Sequence, residues 1–298
     1  VTGKVSALRL GAAVLAAAAL APPASAQDTD LVAKGEYLMR AAGCLACHTD
    51  VKNDGAPFAG GRAMHTPFGT FYSPNITPDV ATGIGAWSDA DFVAALRHGE
   101  APDGSNYFPV FPYPSYTGMR ETDMLAIKAY LFSLDPVTAE NKEHEVGFPY
   151  GIRFLQGGWK LLNFEEGPLE DDPSQSEVWN RGRYLSRALA HCGECHTPRG
   201  DTGGPVEEMY LAGTADGPDG ELVPNITPHD TGIADWSESE IVTLLRDGTK
   251  PDWDNIQGSM AEAVEDGLSF LTDEDLQAIA VYIKSVPPID NTPRRAAD

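Results

Sequence analysis

Apolar positions along the chain gather into short periodic runs, separated by long stretches rich in glycine and proline. From about Glu121 to Ser133, Leu125, Ala129 and Phe132 recur at helical spacing. From about Thr272 to Ser285, Leu276, Ala280 and Ile283 do the same. Each stretch is predicted to be a helix with one buried face. Two further helices are predicted to start at Ser88 and Ser237. Ser237 with Glu240 forms a capping box, Ser88 with Asp91 is its weaker analogue, and Gly99 and Gly248 stop these helices as C-caps. Earlier in each half, a helix carrying Gly-x-Tyr-Leu runs into a pair of cysteines.

These elements come in pairs because the chain repeats itself. Gly35-Glu36-Tyr37-Leu38 returns as Gly182-Arg183-Tyr184-Leu185, and Pro74-Asn75-Ile76-Thr77-Pro78 as Pro224-Asn225-Ile226-Thr227-Pro228. Thr82-Gly83-Ile84 with Trp87 returns as Thr231-Gly232-Ile233 with Trp236, and Leu96-Arg97-His98-Gly99 as Leu245-Arg246-Asp247-Gly248. The copies lie 147 to 150 positions apart in unchanged order, so the expectation is two versions of one mainly α domain in tandem. The boundaries read as a leader over 1–26, a first domain over 27–138, a linker over 139–175 and a second domain over 176–298. The linker contains Phe148, Phe154, Trp159, Leu161 and Phe164. It is too apolar for a free tether, and is expected to pack across the domain interface.

The leader alters the picture of charge and compartment. Lys4 and Arg9 precede an apolar run from Leu10 to Ala21, then Pro22, Pro23 and Ala24-Ser25-Ala26. This is the pattern of a signal peptide cut after Ala26, which implies export to the periplasm. The run is shorter than the roughly 20 apolar residues of a spanning helix, and no longer run follows it. The whole chain holds 21 Lys+Arg against 44 Asp+Glu, and the leader contributes two of the cations and no acid. A chain this acidic is not suited to nucleic acid or an anionic membrane; it suits steering toward a basic protein patch.

All four cysteines fall in two motifs, Cys44-Leu45-Ala46-Cys47-His48 and Cys192-Gly193-Glu194-Cys195-His196. On one helical turn, cysteines at i and i+3 face the same way and can form thioethers to the two vinyl groups of one haem. The following histidine, His48 or His196, then lies under the iron. Cys-x-x-Cys-His thus reads as c-type haem attachment, and the repeat predicts two covalent haem c groups. Structural disulfides, a thiol redox pair and a zinc site are the other readings of four cysteines. None of them needs a histidine at the same place in both copies, and zinc would need the two copies to share one site.

A soft thioether suits the sixth position of an electron carrier, because it favours Fe(II). The chain has six methionines. Met260 and Met119, in the loops before the last helices, are the expected ligands. In helix register Met119 aligns with Leu271, so the two loops differ in length. Met124 aligns with Leu276 and reads as core, Met39 lies in the first helix, and Met64 and Met209 lie in loops nearer the haem motifs. His98, His144, His191 and His229 read as surface or hydrogen-bonded side chains, whereas His65, beside Met64, stands in a ligand-like place. Trp87 and Trp236 read either as core or as indoles that donate to a haem propionate. Arg199 reads either as a propionate partner or as a solvent-facing cation.

Taken together, Ser73-Pro74-Asn75-Ile76-Thr77-Pro78, Gly83-Ile84-Gly85, Trp87-Ser88-Asp89, Phe111-Pro112-Tyr113-Pro114-Ser115-Tyr116-Thr117, Trp159-Lys160-Leu161-Leu162 and the second haem motif resemble a known family. It is that of the cytochrome c subunits of membrane-bound bacterial dehydrogenases for alcohols, gluconate and related sugars. The resemblance covers nearly all of the chain after the leader. It implies tandem class I cytochrome c domains, covalent haem c, Met119 as the first domain's ligand, and electron flow from a dehydrogenase toward the respiratory chain. Those subunits carry a third haem domain and a membrane-associating C-terminal segment. This chain shows two haem motifs and no such segment, so the expectation is a soluble periplasmic di-haem carrier or a subunit of a periplasmic dehydrogenase.

The alternative function is a di-haem enzyme such as a peroxidase, which needs an openable iron and an acid–base group beside it. A cysteine-ligated thiosulfate enzyme would need a spare cysteine, and the motifs use all four. On the carrier reading no residue is catalytic, and the partners are proteins: a dehydrogenase as donor and a respiratory acceptor.

Overall fold

The computed structural model describes residues 1–3 and 26–294. The expected leader and its cleavage site thus lie almost wholly outside the described residues. In the first half, α1 (Ala26–Ala41) leads into the short α2 (Cys44–Cys47), followed by α3 (Asp89–His98), α4 (Tyr113–Tyr116) and α5 (Glu121–Ser133). A linker helix, α6 (Gln156–Asn163), separates these from α7 (Glu177–Tyr184), which continues as a π-helical stretch over Leu185–Leu189. Then come α8 (Cys192–His196), α9 (Glu238–Asp247), α10 (Gly258–Asp266) and α11 (Asp273–Ser285). A small antiparallel sheet of β1 (Ala63–Thr66), β2 (Gly69–Tyr72) and β3 (Glu145–Val146) belongs to the first half and was not foreseen from the sequence.

Each half is built on one helix crossing, α1 with α5 and α7 with α11. Glycine makes both crossings possible. A Cβ on Gly35 would sit 1.9 Å from the Ala126 carbonyl oxygen, and one on Gly182 would sit 1.9 Å from that of Ala278. The repeated Gly-x-Tyr-Leu element is therefore a helix-crossing device: the glycine lets two backbones touch. The third helix of each half, α3 or α9, packs on the last helix. Both begin with a complete capping box, at Ser88 with Asp91 and at Ser237 with Glu240, so the aspartate version is as fully formed as the glutamate one. Both end on left-handed glycines, Gly99 and Gly248.

The predicted core face of α11 is correct: Leu276, Ala280 and Ile283 are buried. That of α5 is shifted by one residue. Met124, Ile127 and Leu131 are buried, whereas Leu125, Ala129 and Phe132 are only partly so. The α5 sequence is apolar nearly all round, so its spacing alone does not set the phase.

The other repeated motif, Pro-Asn-Ile-Thr-Pro, is a buried clasp. Asn75 Nδ2 donates to the Val137 carbonyl and to Thr82, while its Oδ1 accepts from the backbone and hydroxyl of Thr77. Asn225 repeats this with Ile289, Thr231 and Thr227. Each asparagine thus ties the middle loop of its half to the chain that leaves the last helix, filling all its hydrogen-bonding capacity in the interior.

The linker docks on both halves. Lys160 Nζ donates to the His98 and Gly99 carbonyls and to Asn106, and Phe164 meets Tyr113 edge-on. Trp159 Nε1 donates to the Thr202 carbonyl at 2.9 Å. Phe148 and Leu161, expected to be packed, are 88% and 89% exposed, as is most of Phe154. A helix of two turns lying on a surface buries one side only, and Leu161 is on the other side of α6.

Candidate functional site: two cysteine-histidine motifs at one interface

Each motif is a single helical turn preceded by a left-handed residue. In the first half that residue is Gly43, at φ 66°. In the second it is His191, at φ 41° and ψ 44°, a conformation unfavourable for a side chain with a Cβ. The threonine after each motif pins the following loop: Thr49 Oγ1 accepts from Phe58 N–H and Thr197 Oγ1 from Leu211 N–H, both at 3.2 Å.

The histidines are oriented alike. His48 Nδ1 bonds the Pro74 carbonyl at 2.7 Å, and His196 Nδ1 bonds the Pro224 carbonyl at 2.9 Å. A carbonyl only accepts, so Nδ1 carries the proton and Nε2 keeps its lone pair for a metal. Desolvation lowers the pKa of both rings, against the opposing pull of the proline carbonyls, and so favours the neutral, ligating form. The Pro-Asn-Ile-Thr-Pro motif therefore has a second task, which its sequence alone did not reveal.

The four thiols are unpaired. Desolvation pushes Cys44 and Cys195 up to about 12 and Cys192 to about 11. A thiol redox centre calls for a lowered pKa, and burial pushes these thiols the other way. Among the described residues no three His, Cys, Asp or Glu side chains gather as a metal cage, so the cysteines do not share a zinc site. Two thiols on one turn beside an imidazole with a free Nε2 are the donors that a covalent haem needs. Haem c fits both sites.

The two sites adjoin. The α4 segment of the first half covers the second motif, with Ser115 Oγ donating to Glu194 at 2.7 Å. In turn α10 of the second half lies against the first motif. There Arg62 joins Glu262 at 2.6 Å and donates to the Ala46 carbonyl at 2.8 Å. At the centre, the Ala42 carbonyl accepts from the Tyr116 hydroxyl at 2.6 Å, and the His191 ring meets Tyr116 edge-on. His191 directly precedes Cys192, and Ala42 is two residues before Cys44. Tyr116 therefore bridges the two attachment segments, bonded to one and packed on the other. The sequence placed neither His191 nor Tyr116 at the site; the contrast between Gly43 and His191 was the only available sign.

The remaining sequence candidates divide. Arg199 is paired with Glu194 inside the second motif. Trp87 and Trp236 are half-buried against the core. Met260 is half-buried at the start of α10. Met119 is completely enclosed, and His65 lies exposed on β1 against Thr70.

Two small helical domains, each carrying one haem-attachment turn with an oriented histidine, define a tandem c-type cytochrome. The cytochrome c family model matches residues 32–135 and 180–287, and the chain belongs to that family, with two haem c groups. It is 42% identical to a diheme cytochrome c-type protein of Cereibacter sphaeroides over 269 residues, 88% of each chain. It is 41% identical to the fructose dehydrogenase cytochrome subunit of Gluconobacter japonicus over 89% of this chain and 54% of that one. It is 40% identical to the gluconate 2-dehydrogenase cytochrome c subunit of Pantoea cypripedii over 92% of this chain and 64% of that one. The chain thus spans between half and two thirds of the length of those two subunits.

Proposed function

We propose that this cytochrome works outside the cytoplasm as the electron acceptor of a dehydrogenase, passing electrons on toward a respiratory chain. The observation that carries the reading is the junction at Tyr116: its hydroxyl bonds Ala42 ahead of the first motif and its ring packs on His191 ahead of the second, which suits transfer from one site to the other within a single chain. The dehydrogenase subunits among its relatives support a dehydrogenase as donor. The leader supports export. Among the described residues no helix is long and apolar enough to cross a membrane.

In this reading Cys44, Cys47, Cys192 and Cys195 hold the two haems, His48 and His196 ligate their irons, and Met260 closes the second iron. The haems supply the reversible one-electron chemistry. The protein fixes the imidazoles through Pro74 and Pro224, covers each attachment turn with the opposite half, and keeps the cysteines from other reactions. A chain of net charge −23 meets a basic partner quickly at low salt. Stopped-flow reduction by a sugar or alcohol dehydrogenase tests this. The bimolecular rate is expected to fall as salt shortens the Debye length to about 8 Å. Absence of reduction by any such dehydrogenase, together with rapid peroxide turnover by the isolated protein, overturns it.

A further inference from the structure

The loops that follow the middle helices correspond bond by bond. Tyr107 N–H donates to the Gly99 carbonyl at 2.8 Å, as Ile256 N–H does to Gly248 at 2.9 Å. Ala101 N–H reaches the Ser105 carbonyl and Lys250 N–H the Asp254 carbonyl, both at 2.8 Å. Glu100 bridges Asn106 as Thr249 bridges Asn255. All these counterparts are 149 positions apart, and counting on from them Met260 corresponds to Phe111.

Register returns after three extra residues in the second half. Met119 N–H donates to the Tyr116 carbonyl as Leu271 N–H does to that of Leu268, and Met124 N–H to Arg120 as Leu276 N–H does to Thr272. These counterparts are 152 apart. Met119 therefore stands where the second half has Leu271, and the two are 0% and 3% exposed. A side chain wholly enclosed by protein, at a place where a hydrocarbon serves equally well, is core. The expectation that Met119 ligates the first iron finds no support in this placement.

Phe111 offers an iron no lone pair. Its ring meets Tyr107 and Tyr116 edge-on, at 5.4 and 5.8 Å. Other donors of this half are placed elsewhere. His98 pairs with Glu166 at 3.0 Å. His144 accepts from Tyr72 N–H and packs against Phe71 and Phe108. Met64 and His65 lie on the β1–β2 hairpin, where His65 is exposed and bonds Thr70.

We propose that the two irons are unlike: Met260 closes the second, whereas the first, faced by Phe111 and Tyr107, keeps its sixth position open to a small uncharged diatomic ligand such as carbon monoxide or nitric oxide. The Phe111 ring supplies no lone pair, so a reduced iron that faces it is free to take a neutral gas as its sixth ligand. The inference rests on haem at both sites, which intact mass reports separately.

The test is carbon monoxide titration of the reduced di-haem protein, read beside the near-infrared methionine–Fe(III) band of the oxidised form. The expected result is one carbon monoxide bound per chain and a band of one haem's intensity. Phe111→Met should abolish the binding and double the band, and Met119→Leu should change neither. Native protein that binds no carbon monoxide, a bis-imidazole spectrum at the first haem, or Met119→Leu binding a second carbon monoxide each overturns the proposal.

Discussion

The Tyr37 hydroxyl donates to Asp275 Oδ2 at 2.6 Å, joining the first helix of one half to the last helix of the other. The Tyr184 hydroxyl does the same to Asp123 Oδ2 at 2.6 Å in the opposite direction. Each tyrosine oxygen also accepts a backbone N–H at 3.2 Å, from Thr272 and from Arg120. Each aspartate meets a cation of its own half, Lys34 with Asp123 and Arg181 with Asp275. The tyrosine that follows each crossing glycine is therefore an interdomain lock.

Tyr37→Phe should destabilise the protein by about 1.5–3 kcal/mol, the usual worth of a hydrogen bond to a charged group. Thermal unfolding of the variant checks this. No change in Tm would mean that the lock forms without contributing.

The lock has a pH signature. Burial raises the Asp275 carboxyl, but the hydrogen bonds from Arg181 and Tyr37 outweigh it and hold the group below the usual range. A depressed pKa stabilises the folded state above the ordinary carboxylate value of about 3.9, and the contribution is lost as pH falls through the folded value. The Tm gap between native protein and Asp275→Asn should be constant near neutrality and shrink in strong acid. A gap that widens in acid would reverse the sign.

Gly182→Ala forces a Cβ to 1.9 Å from the Ala278 carbonyl oxygen, where backbone faces backbone and no side chain can yield. The crossing of α7 with α11 must open, at a cost of about 3 kcal/mol or more. Denaturant unfolding measures it, and the same loss is expected for Gly35→Ala.

With Met260 as the proposed sixth ligand, Met260→Ala removes the soft sulfur from the second iron. That haem should lose its methionine–Fe(III) band, fall in potential and bind carbon monoxide. An unchanged second-haem spectrum would assign the ligand elsewhere.

The repeat, the helices and the haem motifs were legible because each rests on local spacing: i and i+3 cysteines, capping pairs, a glycine before a tyrosine. What escaped the sequence is what depends on distant partners. The Pro74 and Pro224 carbonyls become functional only when the clasp turns them toward His48 and His196. The β1–β2–β3 sheet needs Glu145 to reach Thr70 across most of the first domain. His191 read as an ordinary histidine, because nothing near it announces a ring packed on the distant Tyr116. The phase of α5 escaped for a different reason, since an almost wholly apolar helix carries no stripe to read.

The reciprocal locks have the form of an isologous contact, in which residue i of one protomer meets residue j of its partner and j meets i. The molecule is thus organised as a homodimer whose two protomers share one polypeptide. A true homodimer must repeat every substitution in both subunits. Fusion lifts that constraint, so one half can hold glycine where the other holds His191, and methionine where its twin holds Phe111. Joining the protomers is what permits two chemically distinct centres on a single symmetric frame.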